Sequence, residues 1–302
     1  MGSGFAFSVT LAALGAVLFS AKAIVVKLSY VHGADAGTVL ALRMIASLPF
    51  FWIAVWWDSR KKALAPIAGK DFWQLVFLGF MGYYVSSYLD FVGLEYISAG
   101  LERVILYLNP TMVLLISAVF LKKHINSRQW LAMAIAYVGV LLVFFQDVRW
   151  DGSQVMLGSF LVFLSAATYA VYLIHSGEIV SRIGSIRVVA YASASATFFA
   201  VCQALLINPA ALIRQPAEVY WLALFNGSFC TFVPMLAVMV AIHRVGSGMA
   251  AQAGVAGPIA TVFLGWYFLN EPISLIQLVG ISIVLIGMAV LLTSNRPASE
   301  SQ

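Results

Sequence analysis

The second half of the chain repeats the first at a constant offset of 148 residues, and each copy holds an odd number of membrane-length apolar stretches. With residues 71–144 laid over 219–292 without a gap, 13 of 74 pairs are identical, among them Gly79/Gly227, Gly100/Gly248, Pro110/Pro258 and Gly139/Gly287. The same register pairs Ser47 with Ser195. Shared apolar composition yields some matches, but it does not place a mid-helix proline and three glycines in step. Five spans per copy force the copies to lie upside down relative to each other, an arrangement expected of secondary transporters.

Hydrophobic residues make up 62% of the chain and charged residues 10%, whereas about a quarter of a soluble domain is charged. A roughly 30 Å hydrocarbon layer takes about 20 apolar residues per helix. Ten such stretches run near 5–28, 37–57, 72–91, 98–121, 130–145, 157–174, 188–207, 219–242, 248–269 and 273–292. The expected fold is all-α integral membrane, with ten transmembrane helices in two inverted five-helix repeats at 5–145 and 155–293 and a short cytoplasmic tail at 294–302. The first stretch is too long for a signal-peptide core and is expected to stay as a span. Cys202 and Cys230 both fall in spans and imply no disulfide framework.

The net charge of +5 is accounted for by topology rather than by a nucleic-acid partner. With ten spans, one side carries Arg60, Lys61, Lys62, Lys70, Lys122, Lys123, Arg128, Arg182, Arg187, Arg244 and Arg296, and the other only Lys27, Arg149 and Arg214. That bias predicts cytoplasmic N- and C-termini.

Several residues at the repeat carry a family likeness. Leu18-Phe19-Ser20 and Lys27 form an aromatic-plus-small pair followed by a basic residue, with Tyr169-Ala170 at the corresponding place in the second copy. Arg43 stands early in the second span, and Pro258, Glu271, Gly280 and Gly287 give a mid-helix proline, an acidic helix end and a glycine-rich last helix. In the first copy Pro110 and Gly139 fit, but Lys123 replaces the acidic residue. In these features the chain resembles the drug/metabolite transporter superfamily, as a ten-helix protein of two EamA-type repeats. Within it, the chain looks like the YddG-type aromatic amino-acid exporters of bacterial inner membranes. The resemblance implies that helices one, three, four and six to nine line the path, with helices five and ten outside.

Ionisable groups inside a bilayer are expensive and default to function. Lys22 lies five residues deeper than Lys27, with cavity-facing, pairing and snorkelling roles open. Arg43 suits a bracing role. Glu102, in the first turn of span four, suits the positive end of the helix dipole. Arg103 and Tyr107, four residues apart on one helical face, could hold a carboxylate and an aromatic ring, or Arg103 could simply pair with Glu102, Glu95 or Asp90. Tyr83, Tyr84, Tyr88, Tyr107, Tyr169 and Tyr172 sit within spans rather than at interfaces, which predicts a wet aromatic cavity between helices three, four and six, or else a packed tyrosine core. Asn226, Cys230, Thr231, His175 and Gln252 are their polar counterparts in the second copy. The matched prolines Pro110 and Pro258 are expected to act as hinges or to shape the cavity.

These readings converge on export of small amphipathic metabolites, aromatic or hydrophobic amino acids foremost, from cytoplasm to periplasm across a bacterial inner membrane by alternating access. A multidrug or nucleotide-sugar-like carrier, or a channel, is the alternative. Every acidic residue lies near a helix end or loop, so movement down a gradient is expected rather than proton coupling. No HExxH, GxSxG or paired buried aspartates indicate an enzyme. The expected partners are a small-molecule substrate and the lipid bilayer, with no cofactor, metal or nucleic acid and a monomeric state.

Overall fold

The computed structural model describes residues 3–60, 66–122, 124–152, 154–237 and 256–294. Their elements are all helical: α1 (Ser3–Val31), α2 (Ala36–Ser59), α3 (Gly69–Leu94), α4 (Ala99–Leu121), α5 (Ser127–Asp151), α6 (Gln154–Ile183), α7 (Ser185–Ile207), α8 (Ala217–Ala237), α9 (Ala256–Leu269) and α10 (Leu275–Ser294). Among the described residues, nine helices are long and apolar enough to cross a membrane, and α9 is a shorter apolar helix. Helices satisfy every mid-segment backbone group internally, which lipid cannot do for them. At the ends, side chains take over. Asp35 accepts the Thr38 N–H at 3.0 Å, Ser98 accepts that of Leu101 at 3.0 Å, and Asn126 and Gln129 cap each other's backbone at 2.8 and 2.9 Å.

Contacts between the halves obey the 148-residue offset. On α3, a Cβ at Gly79 would strike the Ala192 carbonyl oxygen on α7 and would stand 2.7 Å from the Ser195 Cβ. On α8, a Cβ at Gly227 would lie 2.8 Å from the Ser47 nitrogen and 2.9 Å from the Arg43 oxygen on α2. Gly79 and Gly227 are repeat mates, as are Ser195 and Ser47. Each half therefore lends its third helix to the second helix of the other, and both contacts depend on a missing side chain.

α5 and α10 pack by the same device. A Cβ at Gly139 would meet the Gly280 oxygen at 2.6 Å, and one at Gly287 would meet the Ala136 nitrogen at 2.7 Å. Between α3 and α6, Gly93 and Gly158 press each other's carbonyls. Behind these seams lie apolar cores, one joining Leu101, Val104, Leu108, Ala136, Val143, Val162, Val284 and Met288.

One irregularity recurs at equivalent places, and a second is seen in the first half. α3 is π-helical over Gly79–Val85 and α8 over Ser228–Phe232. α4 breaks between Leu106 and Asn109, so Pro110 opens its second segment, where the missing N–H costs nothing. Pro258, its repeat mate, is buried near the start of the described part of α9. Residues 295–302, in the expected tail, and Lys123 lie outside the described residues.

Candidate functional site

The highest concentration of buried charge lies where α1, α3 and α4 meet. Lys22 Nζ on α1 is 2.6 Å from Asp90 Oδ2 on α3 and 3.3 Å from Glu102 Oε1 on α4, with side-chain exposures of 7%, 3% and 1%. Lys22 thus points inward onto two carboxylates and does not snorkel. Its ammonium also faces the rings of Phe19 and Phe91, at 5.7 and 6.0 Å from their centroids.

Two guanidiniums complete the cluster. Arg103, also buried, lies 5.0 Å over the Phe19 ring, and Arg43 lies 5.3 Å over Phe91. Arg43 Nε donates to Thr231 Oγ1 at 3.1 Å, and that hydroxyl donates to the Asn226 carbonyl at 2.9 Å, bridging the π-helical turn of α8. A Cβ at Gly257 would stand 2.8 Å from Arg103 Nη2 and 3.0 Å from Ser20 Oγ, so the bare backbone of α9 makes room for the guanidinium.

The cluster is incompletely satisfied. Among the described residues, Asp90 Oδ1, both Glu102 oxygens, Arg103 Nε, Arg43 Nη1 and both amide atoms of Asn226 are buried without a hydrogen-bond partner. An unsatisfied buried atom costs about 1–3 kcal/mol, more when charged, so atoms of both signs at one place can receive a ligand that carries both charges.

The acids that sequence position assigns to helix ends are the main correction. Asp90 is four residues from the end of α3 and Glu102 three past the start of α4, yet both are buried on the inner face. Intramembrane acids are the signal that would have found them; distance along the helix axis concealed which way they face. The role expected of Glu102, a helix-dipole charge, is joined by an ionic contact to Lys22.

The tyrosines divide. Tyr83, Tyr169 and Tyr172 form a packed group, with Tyr172 at 5.3 Å from Tyr83 and 5.4 Å from Tyr169. Gly82 admits the Tyr172 ring against α3. Tyr84 and Tyr88 stack at 6.3 Å, with Tyr84 5.8 Å from Phe199 of α7. The structure therefore does not bring Tyr172 together with Tyr84 and Tyr88 in one cavity, because adjacent positions on α3 face different neighbours. Tyr107 stands at the break in α4, its N–H bonded to the Arg103 carbonyl at 3.0 Å. His175 is exposed beside Phe77 and stands apart from the cluster. Gln252 lies outside the described residues.

Helix ends are tied together at one end of the bundle, beyond the cluster. Lys27 Nζ lies 2.9 Å from Glu271 Oε1 and donates to the Ile97 carbonyl at 2.7 Å. Glu271 in turn accepts the Ala99 N–H at 3.0 Å, capping α4 from the loop after α9. Ser98 donates to Asp147 Oδ2 on α5 at 2.5 Å. A cavity of about 560 Å³ lies among Lys27, Ser98, Asp147, Leu269, Glu271 and Gln277.

An odd helix count per half, buried charge between the helices and helix ends tied at one mouth suit a carrier, and residues 6–145 and 156–293 each match the EamA-like transporter family. The chain belongs to the EamA-like transporter family. It is a multi-pass membrane transporter and not an enzyme. The chain is 31% identical over 293 residues to the uncharacterized transporter YcbK of Bacillus subtilis (strain 168), covering 91% of this chain and 90% of that one. It is 24% identical over 249 residues to the uncharacterized transporter YdfC of the same organism, covering 81% and 77%. A solved crystal structure superposes with a TM-score of 0.68 over 98% of this EamA-like chain at 16% identity, a likeness of fold alone. None of these names gives a substrate.

Proposed function

We propose that this EamA-like transporter exports small zwitterionic, amphipathic metabolites, aromatic and other hydrophobic amino acids foremost, by alternating access. The observation that carries the reading is the pair of adjacent residues Glu102 and Arg103, buried, opposite in charge and each with unpartnered atoms, beside the Phe19 ring. Arg103 takes the substrate carboxylate, Glu102 its ammonium, and Phe19, Phe91 and Tyr107 its apolar side chain. Lys22 sets the position of both carboxylates, and the Asn226 amide offers a further polar contact. Tyr84 and Tyr88 line the way to this point rather than the point itself, whereas Tyr172 belongs to the packed group with Tyr83 and Tyr169. His175 and Gln252 remain candidates for the same path.

This reading takes from the charge bias cytoplasmic termini, with the Lys27/Glu271 end at the periplasm of a bacterial inner membrane. The Lys27/Glu271 tie is, in this reading, the closure of the periplasmic mouth. In this reading Pro110, where α4 breaks, and its repeat mate Pro258 are the bending points.

The test is counterflow in proteoliposomes loaded with unlabelled phenylalanine. Labelled phenylalanine should enter and be competed by tryptophan and leucine, but weakly by phenethylamine, which lacks the carboxylate. Exchange of ethidium or a nucleotide sugar in place of amino acids would favour the multidrug or nucleotide-sugar reading and sink this one.

A further inference from the structure

We propose that the Asp90 and Glu102 carboxylates, gathered on the Lys22 ammonium, form a proton site whose occupancy alternates with that of the substrate ammonium, so that export is exchanged for protons. The inference rests on the amino-acid reading above and adds the driving ion.

The geometry supplies two acids and one shared base. Lys22 Nζ reaches Asp90 Oδ2 at 2.6 Å and Glu102 Oε1 at 3.3 Å, while three of the four carboxylate oxygens accept no hydrogen bond from the described residues. An ionised carboxylate only accepts, so these oxygens keep capacity for a donor brought from outside. A proton makes one carboxyl a donor towards its neighbour's free oxygen; a substrate ammonium donates instead. The two occupants use the same oxygens, and one excludes the other.

The surroundings leave the carboxylates as the exchanging groups. Arg43 on α2 and Arg103 on α4 face them, and arginine does not lose its proton in proteins. Lys22 comes from α1, as does Tyr30, whose hydroxyl donates to the Phe91 carbonyl at 2.7 Å. Tyr83 on α3, Tyr107 on α4 and Cys230 on α8 are the other titratable neighbours, all neutral near pH 7 in their ordinary forms. The site also lies next to the closed mouth: Glu102 is three residues from Ala99 and Lys22 five from Lys27, the two groups that hold Glu271. Filling the carboxylates with a proton or an ammonium therefore alters the tie between α1 and α4 directly beneath that latch.

The experiment uses purified full-length protein in liposomes with the membrane potential clamped by potassium and valinomycin, and labelled phenylalanine as probe. With an acidic interior, phenylalanine should accumulate inside by up to about tenfold per pH unit, the limit for one proton exchanged. Binding should release a proton to a pH indicator, and N-acetylphenylalanine, which has no ammonium, should release none. Glu102→Gln should abolish both effects, with Asp90→Asn as a second variant should the first not fold. Phenylalanine counterflow without accumulation in the pH gradient would overturn the proton site and leave the transport reading standing. If no amino acid is exchanged, the transport reading falls, and infrared spectroscopy of the substrate-free protein decides the site. A carboxylic-acid band that appears on acidification and is missing in Glu102→Gln supports it; its absence from the wild type overturns it.

Discussion

Lys22 shows what a single buried side chain can hold. With two carboxylates on one ammonium, removing the cation takes from both acids their direct ionic partner, a loss on the order of 3–5 kcal/mol for a broken buried pair. Lys22→Met should therefore lower the unfolding midpoint in detergent as well as transport, and the triple variant Lys22→Met/Asp90→Asn/Glu102→Gln should regain most of the stability but not the transport. Stability unchanged in the single variant would mean the ion pairs are not made. Lys22 and Arg103 stand out in the sequence because charge inside an apolar stretch is rare; Asp90 and Glu102 were read as helix-end residues because burial at that depth is decided by neighbours from other helices. Glu95, outside the spans, is a milder case. Burial raises its carboxyl above the ordinary 4.5, Asp35 adds to this, and the Ala36 N–H at 3.3 Å opposes it. The folded state thus holds this proton more tightly than the unfolded chain, so the contribution is greatest below the ordinary value and falls as pH rises through the folded one. Glu95→Gln, which can keep the Ala36 bond, should remove that part of the pH dependence without lowering the midpoint at neutral pH; thermal unfolding across pH checks it.

At the scale of the helices, matched glycines set the spacing. A Cβ at Gly227 meets backbone atoms of Ser47 and Arg43, and one at Gly79 meets the Ala192 carbonyl, neither of which can swing aside. Gly227→Ala and Gly79→Ala should each destabilise by about 1–3 kcal/mol, whereas Gly177→Ala on α6, with open space around it, should be neutral or slightly stabilising. Equal effects at all three positions, measured by unfolding, would contradict the close approach of α3 to α7 and α8 to α2. The existence and order of these helices were legible from apolar length and from the repeat. The π-helical turns in α3 and α8 were not, since an i→i+5 turn demands no particular residue type; it shows only through partners such as Thr231, whose hydroxyl reaches back to Asn226. The tyrosines of α3 separate into two groups instead of lining one cavity, Tyr83 facing Tyr172 of α6 and Tyr84 facing Phe199 of α7.

Across the whole molecule the fold is symmetric and the charge is not. Asp90, Glu102 and Arg103 have Val238, Ala250 and Ala251 as repeat mates, and Arg43 has Tyr191, so one half supplies the ionic groups that the other lacks. The inverted frame provides two equivalent mouths, while the first half provides the chemistry. Closure at the Lys27/Glu271 end is open to direct test: cysteines at these two positions, joined by a short reducible cross-linker, should stop transport, and reduction should restore it. Undiminished flux through the cross-linked protein would favour a channel over alternating access. The central claim, that the buried cluster of the first half is where substrate binds, is tested most directly by counterflow of labelled phenylalanine through Arg103→Gln. A lost charge-assisted hydrogen bond of about 1.5–3 kcal/mol predicts exchange at least tenfold slower than wild type in protein that inserts and unfolds normally. Exchange at the wild-type rate would contradict the account.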